Sequence, residues 1–312
     1  MIKKILVKIF LLVAISFATI FYIKGLDLSQ FTNLIFLKSN AYFYLILFFI
    51  FHTILIVHSN TTALIDFNQK ANPLILGMIF FISSFSSMVA MFKINLPVRF
   101  ILLKKYLNIP YHVSVNVKIW IMVLNIYIHT IVAMVSINFI HDFPKNIKIG
   151  ILLFGTSIII SSLVFYFIIK KSKFNFSRIK YFKSFLTKLD YYVSSFTELS
   201  IRSIFILLIQ ATFRLLIITF STYFIFNELI VYNNDMSFTS FLSIQAISSI
   251  ISLISFLPHG IGTKDISFLY LFSIIGIDKE IAIILLLYDR LLWTFLPFVF
   301  GAISILFIKK DE

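Results

Sequence analysis

The residues best suited to chemistry lie in the last third of the chain, where charged side chains interrupt apolar sequence. Residues 258–265 read Pro-His-Gly-Ile-Gly-Thr-Lys-Asp, and Asp289 and Arg290 stand in the middle of a later apolar run. Arg214 stands in the middle of an earlier one. A charge at bilayer depth costs about 2.5 to 3.5 kcal/mol on insertion scales. These residues must therefore pair, face water or hold a ligand.

Residues 258–265 have the features of an anion-binding turn. Pro258 ends a helix, and Gly260 and Gly262 permit positive φ angles and a close approach of the backbone. Exposed amide groups could then bind an anion, to which Lys264 adds positive charge. An interfacial turn without a ligand is the alternative, and it is the one that the Gly and Pro content alone favours.

Asp289 and Arg290 are interpreted together. Adjacent residues on a helix point about 100° apart, so these two cannot form a simple pair on one face. Asp289 could instead meet Arg214 across helices. Arg290 would then hold a phosphate through the two parallel hydrogen bonds that a guanidinium group donates. Ion pairing without any ligand explains the same residues equally well.

A second basic group follows another proline. Leu96 and Pro97 interrupt an apolar region, and Arg99, Lys104 and Lys105 come directly after them. These cations could serve a lipid headgroup on the opposite face of the membrane. Anchoring at the interface by long side chains that reach towards water is the alternative.

The elements that position these residues are hydrophobic helices. Of the 312 residues, 60% are hydrophobic and 13% are charged, whereas a soluble chain carries about 25% charged residues. The apolar residues fall in runs of roughly 18 to 25, long enough for a helix to cross a hydrocarbon layer about 30 Å thick. Eight runs of this kind occur, at residues 5–23, 42–58, 73–92, 118–140, 147–169, 201–230, 238–257 and 281–308.

The charges and motifs exclude several classes of function. The net charge of +14 is concentrated between the apolar runs, which indicates membrane orientation and anionic headgroups rather than nucleic acid. The absence of Cys excludes disulfides and thiolate metal sites. Zinc-protease, P-loop and Gly-x-Ser-x-Gly motifs are also missing. We therefore predict no catalytic residue, no metal and no cofactor, and an enzyme acting on lipid is the class least favoured.

The positive charges conflict with eight uninterrupted spans, because no such arrangement puts all the basic segments on one side. The conflict disappears if residues 73–92 return with 98–106, and 238–257 with 266–275, as re-entrant hairpins that enter from opposite faces. We therefore predict an all-α polytopic membrane bundle of six full spans and two broken hairpins, with eight spans as the alternative.

The two hairpins share a plan, in which a Ser-rich and Phe-rich helix, a Leu-Pro break and a short apolar segment follow one another. Paired interruptions in two halves of a chain are a sequence pointer to a transporter site near the bilayer midplane. Two unrelated proline breaks are the alternative.

Residues 1–312 form one predicted membrane domain. Residues 170–200 are a basic, aromatic insertion, predicted to be an amphipathic segment on the cytoplasmic surface or a loop that only fixes topology.

Residues 255–301 resemble the C-terminal signature of the lysylphosphatidylglycerol synthase transmembrane region, or flippase-like UPF0104, family. That signature runs Pro-Gly-Gly-x-Gly-x-x-Glu, an apolar segment, a Gly-hydrophobic corner, and an Ala-rich helix that carries Arg. The matching positions here are Pro258, Gly260, Gly262, Asp265, Gly276, Ile277, Ala282 and Arg290. Leu96 to Arg99, with Lys104 and Lys105, resemble the first-half proline and basic segment. His259 departs from the signature by replacing a Gly, Asp265 by replacing a Glu, and Lys118 lies where an acidic-basic pair is usual.

The resemblance implies a membrane domain that accepts a lipid with an anionic or modified headgroup and helps to transfer it between leaflets. Relatives that aminoacylate lipids carry a fused soluble synthase domain. We expect no such domain in this chain and therefore no aminoacylation by it alone. The expected partners are an anionic phospholipid or a polyprenyl-phosphate-linked saccharide, and a glycosyltransferase or lipid synthase. The expected location is a prokaryotic cell membrane, with both termini cytoplasmic.

The predicted headgroup site gathers the polar residues around the second break: Arg290, Arg214, Lys264, Asp265, Asp289, Gly260 and Gly262. Two other functions remain as alternatives. The first is a non-catalytic accessory subunit for a glycosyltransferase or a lipid-modifying enzyme, and the second is a carrier of a small solute or ion.

Overall fold

The structure is a computed structural model that describes residues 37, 39–90, 94–140, 143–171, 199–229, 236–254, 260 and 262–308. Several sequence predictions fall outside them: the apolar run 5–23, most of the insertion 170–200, Pro258, His259 and both termini.

Ten helices make up the described part of the chain, which contains no strand. In order they are α1 (Ser39–Asp66), α2 (Pro73–Ala90), α3 (Asn95–Leu107), α4 (Tyr111–Ser136), α5 (Lys145–Lys171), α6 (Ile201–Leu229), α7 (Phe238–Ile254), α8 (Thr263–Ile274), α9 (Lys279–Arg290) and α10 (Leu296–Phe307). A 3-10 turn, Ile137–Phe139, extends α4, and a π-turn, Leu291–Phe295, joins α9 to α10 as one long helix.

Helix length and composition confirm an all-α polytopic membrane protein. Among the described residues, five helices are long and apolar enough to cross a membrane: Asn40–Asp66, Pro73–Ala90, Tyr111–Phe139, Ile201–Leu229 and Lys279–Phe307. The long arms of the predicted hairpins, α2 and α7, are shorter than α1, α4, α5 and α6. α2 has 18 residues and α7 has 17, which corresponds to about 27 and 25 Å of helix.

Two helices extend by more than one turn beyond their predicted bounds. α1 continues past His58 to Asp66, through residues whose side chains donate to the carbonyls one turn earlier, as Asn60 does to Ile56 at 2.7 Å. Such bonds let polar residues remain inside a helix. α4 begins at Tyr111 rather than at residue 118. Lys118 therefore lies about two turns inside the helix and not at its start.

The breaks between helices lie close to the predicted positions. α2 ends at Ala90 and α3 begins at Asn95, so Pro97 lies in the first turn of α3. A proline is tolerated there because the first amide groups of a helix have no intrahelical acceptor. The first break therefore precedes Pro97 rather than lying at it. At the second break, Gly260 and Gly262 have φ of +69° and +84°, the conformation expected of glycine in this turn.

Each of the two helical hairpins packs on a helix from the other half of the bundle. α2 and α3 pack together and α7 and α8 pack together, while α2 also packs on α10 and α7 on α4. Each hairpin thus contacts the long helix that follows the other one, and α1 packs on α6 between them. Two repeats related by a pseudo-two-fold axis would pair in this reciprocal way.

Small residues allow these helices to approach closely. A Cβ atom added to Gly301 of α10 would collide with the carbonyl oxygen of Phe81 and would lie 2.6 Å from the Cβ of Phe85, both on α2. Ser243 of α7 donates a hydrogen bond of 2.7 Å to Ser136 of α4. Close backbone approach and polar bonds between helices are the usual means of association in membranes. They fix how each helix presents its charged residues to the interior.

Candidate functional site

The first element of the site is a buried ion pair between the start of α8 and the end of α9. The Nζ atom of Lys264 lies 2.7 Å from Oδ2 of Asp289, and the side chains are 11% and 1% exposed. Gln245 of α7 donates to the other carboxylate oxygen of Asp289 at 3.4 Å and to the hydroxyl of Thr222 at 2.9 Å. Three helices therefore meet at the Asp289 carboxylate.

A second ion pair lies beside the first. Arg290 donates from Nε to Oδ1 of Asp265 at 2.7 Å and also donates to the same oxygen from Nη2. Its Nη1 atom donates to the hydroxyl of Thr294 at 3.4 Å, inside the π-turn. These two charged side chains are 18% and 22% exposed. This pair is therefore less buried than the pair formed by Lys264 and Asp289.

The order of the charges along the chain explains the double pairing. α8 carries Lys264 then Asp265, whereas α9 ends with Asp289 then Arg290. Consecutive helices joined by a short turn bring these mirrored dipeptides face to face, so each cation meets a carboxylate. This arrangement corrects one expectation, because Asp289 pairs with Lys264 and not with Arg214. A mirrored pair of oppositely charged dipeptides was the sequence signal that could have predicted it.

The carboxylate of Asp265 also closes the glycine turn. Its Oδ2 atom accepts a hydrogen bond of 2.9 Å from the amide of Gly262, the residue before α8. An acidic side chain in the first turn of a helix stabilises it in this way. The Gly262 amide was expected to bind an external anion, but the chain's own carboxylate occupies that position. Gly260 lies against Ser252 of α7, whose Cβ atom would be 2.6 Å from an added Cβ.

Arg214 is half-buried on α6. It donates to the side-chain oxygen of Asn125 on α4 at 2.7 Å and to the carbonyl of Gln210 at 3.4 Å. The bond to Asn125 links α6 to α4. Asn138 instead donates within its own helix, to the carbonyl of Met134 at 2.7 Å.

The basic group after the first break divides into two kinds of residue. Arg99 is buried, donates to the hydroxyl of Ser83 at 3.4 and 3.3 Å, and lies 5.2 Å from the ring centroid of Phe80. Lys104 and Lys105 are exposed. Each lies beside a tyrosine ring, with 5.6 and 5.0 Å between the ammonium nitrogen and the ring centroid. The two lysines resemble interfacial anchors, and only Arg99 enters the interior.

Gln245 had no place in the sequence prediction. It lies in a Ser-rich apolar helix and is fully buried. Its amide group carries the hydrogen bonds that connect Asp289 to α6 and α7. A buried amide on an apolar helix is costly unless it is bonded, and that cost was the available signal.

The chain resembles known membrane proteins over most of its length. A family model described as the lysylphosphatidylglycerol synthase TM region matches residues 5–301. A UPF0104 membrane protein of Pyrococcus horikoshii is 32% identical over 89 residues, a segment that covers 28% of this chain and 26% of that protein. The aligned segment therefore spans about a quarter of the length of that relative.

Proposed function

Because this chain belongs to the lysylphosphatidylglycerol synthase transmembrane region family, we propose that it carries an anionic lipid between the two leaflets of a prokaryotic cell membrane. The lipid is a phospholipid or a polyprenyl-phosphate-linked saccharide, held by its phosphate. Both termini face the cytoplasm, as the basic segments near them favour. The observation that carries this proposal is the pair of interlocked ion pairs at the second break, formed by Lys264 and Asp289 and by Arg290 and Asp265.

The cost of these charges supports a functional role. Each charged group is unfavourable at membrane depth, and a buried ion pair contributes little net stability compared with apolar residues of the same volume. The second break nevertheless carries four charged side chains within two adjacent pairs. Helix packing alone does not require these charged side chains, whereas a site that binds a charged headgroup does.

The ion pair with Asp289 orients Lys264 without using all the hydrogen-bond donors of its ammonium group. An ammonium group has three donors, and Asp289 accepts from one of those of Lys264. Arg290 is held by Asp265 and Thr294 at the start of the π-turn, a helical irregularity that is frequent at functional sites. The carboxylates neutralise the cations while no lipid is bound. A phosphate then receives hydrogen bonds from cations that are already in position.

These cations would lower the barrier to transfer. A phosphate that leaves water loses its hydration, and this loss is the main cost of moving a headgroup through the hydrocarbon layer. Lys264 and Arg290 replace part of that hydration with charged hydrogen bonds. The acyl or prenyl chains remain in the surrounding lipid throughout.

Translocation of a fluorescent phosphatidylglycerol in proteoliposomes, followed by chemical quenching of the outer leaflet, tests the proposal. The double variants Lys264→Met with Asp289→Asn, and Arg290→Gln with Asp265→Asn, remove both members of one pair and so leave no unpaired charge. Each should lower the transfer rate at least about tenfold. The matched control is Lys104→Met, which removes an exposed cation and should leave the rate unchanged. Equal rates in the double variants and in the unaltered protein would refute the site.

A further inference from the structure

A second polar site lies among the helices of the first half of the chain. A cavity of about 20 Å³ lies between α1, α2, α3 and α4, and Arg99 and Lys118 both line it with Asn60 and Ser114. Its lining includes no Asp or Glu. None of these residues belongs to the ion pairs at the second break. The cavity therefore places two cations together without a carboxylate to balance them.

The two cations retain donors that point to a ligand. Arg99 is 7% exposed, and Ser83 accepts long bonds from its Nε and Nη2 atoms, so the guanidinium group is held in place while other donors remain. Lys118 makes no hydrogen bond or ion pair to the part of the chain that the structure describes. Guanidinium groups bind phosphate through paired hydrogen bonds, and an ammonium group on a flexible side chain adds a point charge beside them.

Electrostatics favours an occupant of opposite charge. Two like charges facing one cavity repel each other, and the surrounding apolar helices cannot solvate them. A cavity needs roughly 10 to 15 Å³ to hold one water molecule. The present volume therefore admits a water molecule or a single phosphate oxygen, and the long side chain of Lys118 can move aside to admit the rest of the group.

We propose that Arg99 and Lys118 form a second phosphate-binding site, separate from the one at the second break. The phosphate is either a free inorganic ion or part of a lipid headgroup. In the second case the site rests on the proposed function and gives the lipid a binding position beside each break. Phosphate binding here does not require translocation. The binding measurement can therefore confirm this site even if the protein does not move lipid between leaflets.

The two tryptophans of the chain provide separate reporters. Trp120 lies two residues after Lys118 on α4, and Trp293 lies in the π-turn. A Trp293→Phe background leaves Trp120 as the only tryptophan. Inorganic phosphate, titrated against chloride at equal ionic strength in phosphatidylcholine nanodiscs, should then produce a saturable change in the Trp120 emission.

Variants decide whether the response comes from this cavity. Lys118→Met and Arg99→Gln should weaken the response at least about tenfold, whereas Lys118→Arg and the exposed control Lys104→Met should retain it. Circular dichroism checks that each variant is folded, and the charge-preserving Lys118→Arg keeps the test decisive if a neutral variant misfolds. An equal response in Lys118→Met and the background protein, or loss of the response in Lys118→Arg, would overturn the proposal.

The source of the phosphate is tested with nanodiscs that contain phosphatidylglycerol and no inorganic phosphate. A Trp120 change that depends on this lipid and on Lys118 assigns the site to a headgroup. A change with inorganic phosphate alone assigns it to the free ion. If neither probe changes the emission, the site does not bind phosphate.

Discussion

Replacing Asp289 by Asn leaves the ammonium group of Lys264 buried beside a neutral amide. The two side chains are 1% and 11% exposed and are 2.7 Å apart. Breaking a buried pair by removing one partner costs about 3 to 5 kcal/mol. Because the Lys264 side chain is not completely buried, we expect a loss of unfolding free energy near the lower end of this range, about 3 kcal/mol.

The double variant should be far less destabilised than the sum of the single variants. Lys264→Met alone leaves the Asp289 carboxylate with only the Gln245 amide among its described partners, and a similar loss is expected. Removing both charges removes the desolvation cost together with the attraction, so the double variant should lie within about 1 kcal/mol of the original protein. The resulting coupling energy is on the order of 2 to 3 kcal/mol.

Reversible unfolding in mixed detergent micelles, followed by far-ultraviolet circular dichroism, measures the four free energies of this cycle. The cycle of Asp265→Asn and Arg290→Gln serves as a comparison. These side chains are 22% and 18% exposed, so their coupling energy should be smaller. If the Lys264 and Asp289 changes add to within about 0.5 kcal/mol, the two residues do not interact, and the assignment of the site is wrong.

Two further predictions concern glycines that control packing. Gly301→Ala should separate α10 from α2, because the added Cβ collides with the Phe81 carbonyl; a lower thermal midpoint with unchanged helix content would confirm it, and an unchanged midpoint would contradict it. Gly260→Ala should cost more stability than Gly262→Ala. Both have positive φ, which costs roughly 1 to 2 kcal/mol for Ala, but only Gly260 also contacts Ser252. Unfolding of the two variants in the same micelles tests the order, and equal losses would refute the contact.

Hydropathy was sufficient to predict the helices. The backbone must satisfy its own hydrogen bonds in lipid, so a long apolar run can only be a helix, and helices found at residues 201–229 and 279–307 follow the predicted runs closely. The errors occur at polar helix ends. α4 begins at Tyr111, seven residues before the predicted apolar run. Residues 111–117 mix polar and apolar side chains, so mean hydropathy does not show that they belong to the helix.

The sequence also predicted a glycine turn with positive φ at Gly260 and Gly262 and charged residues beside it, because these are local properties. It did not determine which charges meet. Asp289 was assigned to Arg214, but the bond is made by Lys264, since pairing depends on how α8 and α9 face each other. That Lys118 lines a cavity with Arg99 could not be predicted for a related reason, because the two residues lie on different helices.

The sequence by itself determined that this is a polytopic helical membrane protein with charged residues beside two breaks. Each of these properties depends on residue type and on neighbours along the chain. Only the tertiary structure decided that the four charges at the second break form two compensated pairs, while Arg99 and Lys118 share a cavity without a carboxylate. These outcomes depend on the rotation and crossing of helices, which contacts such as Gly301 against Phe81 set across the whole bundle.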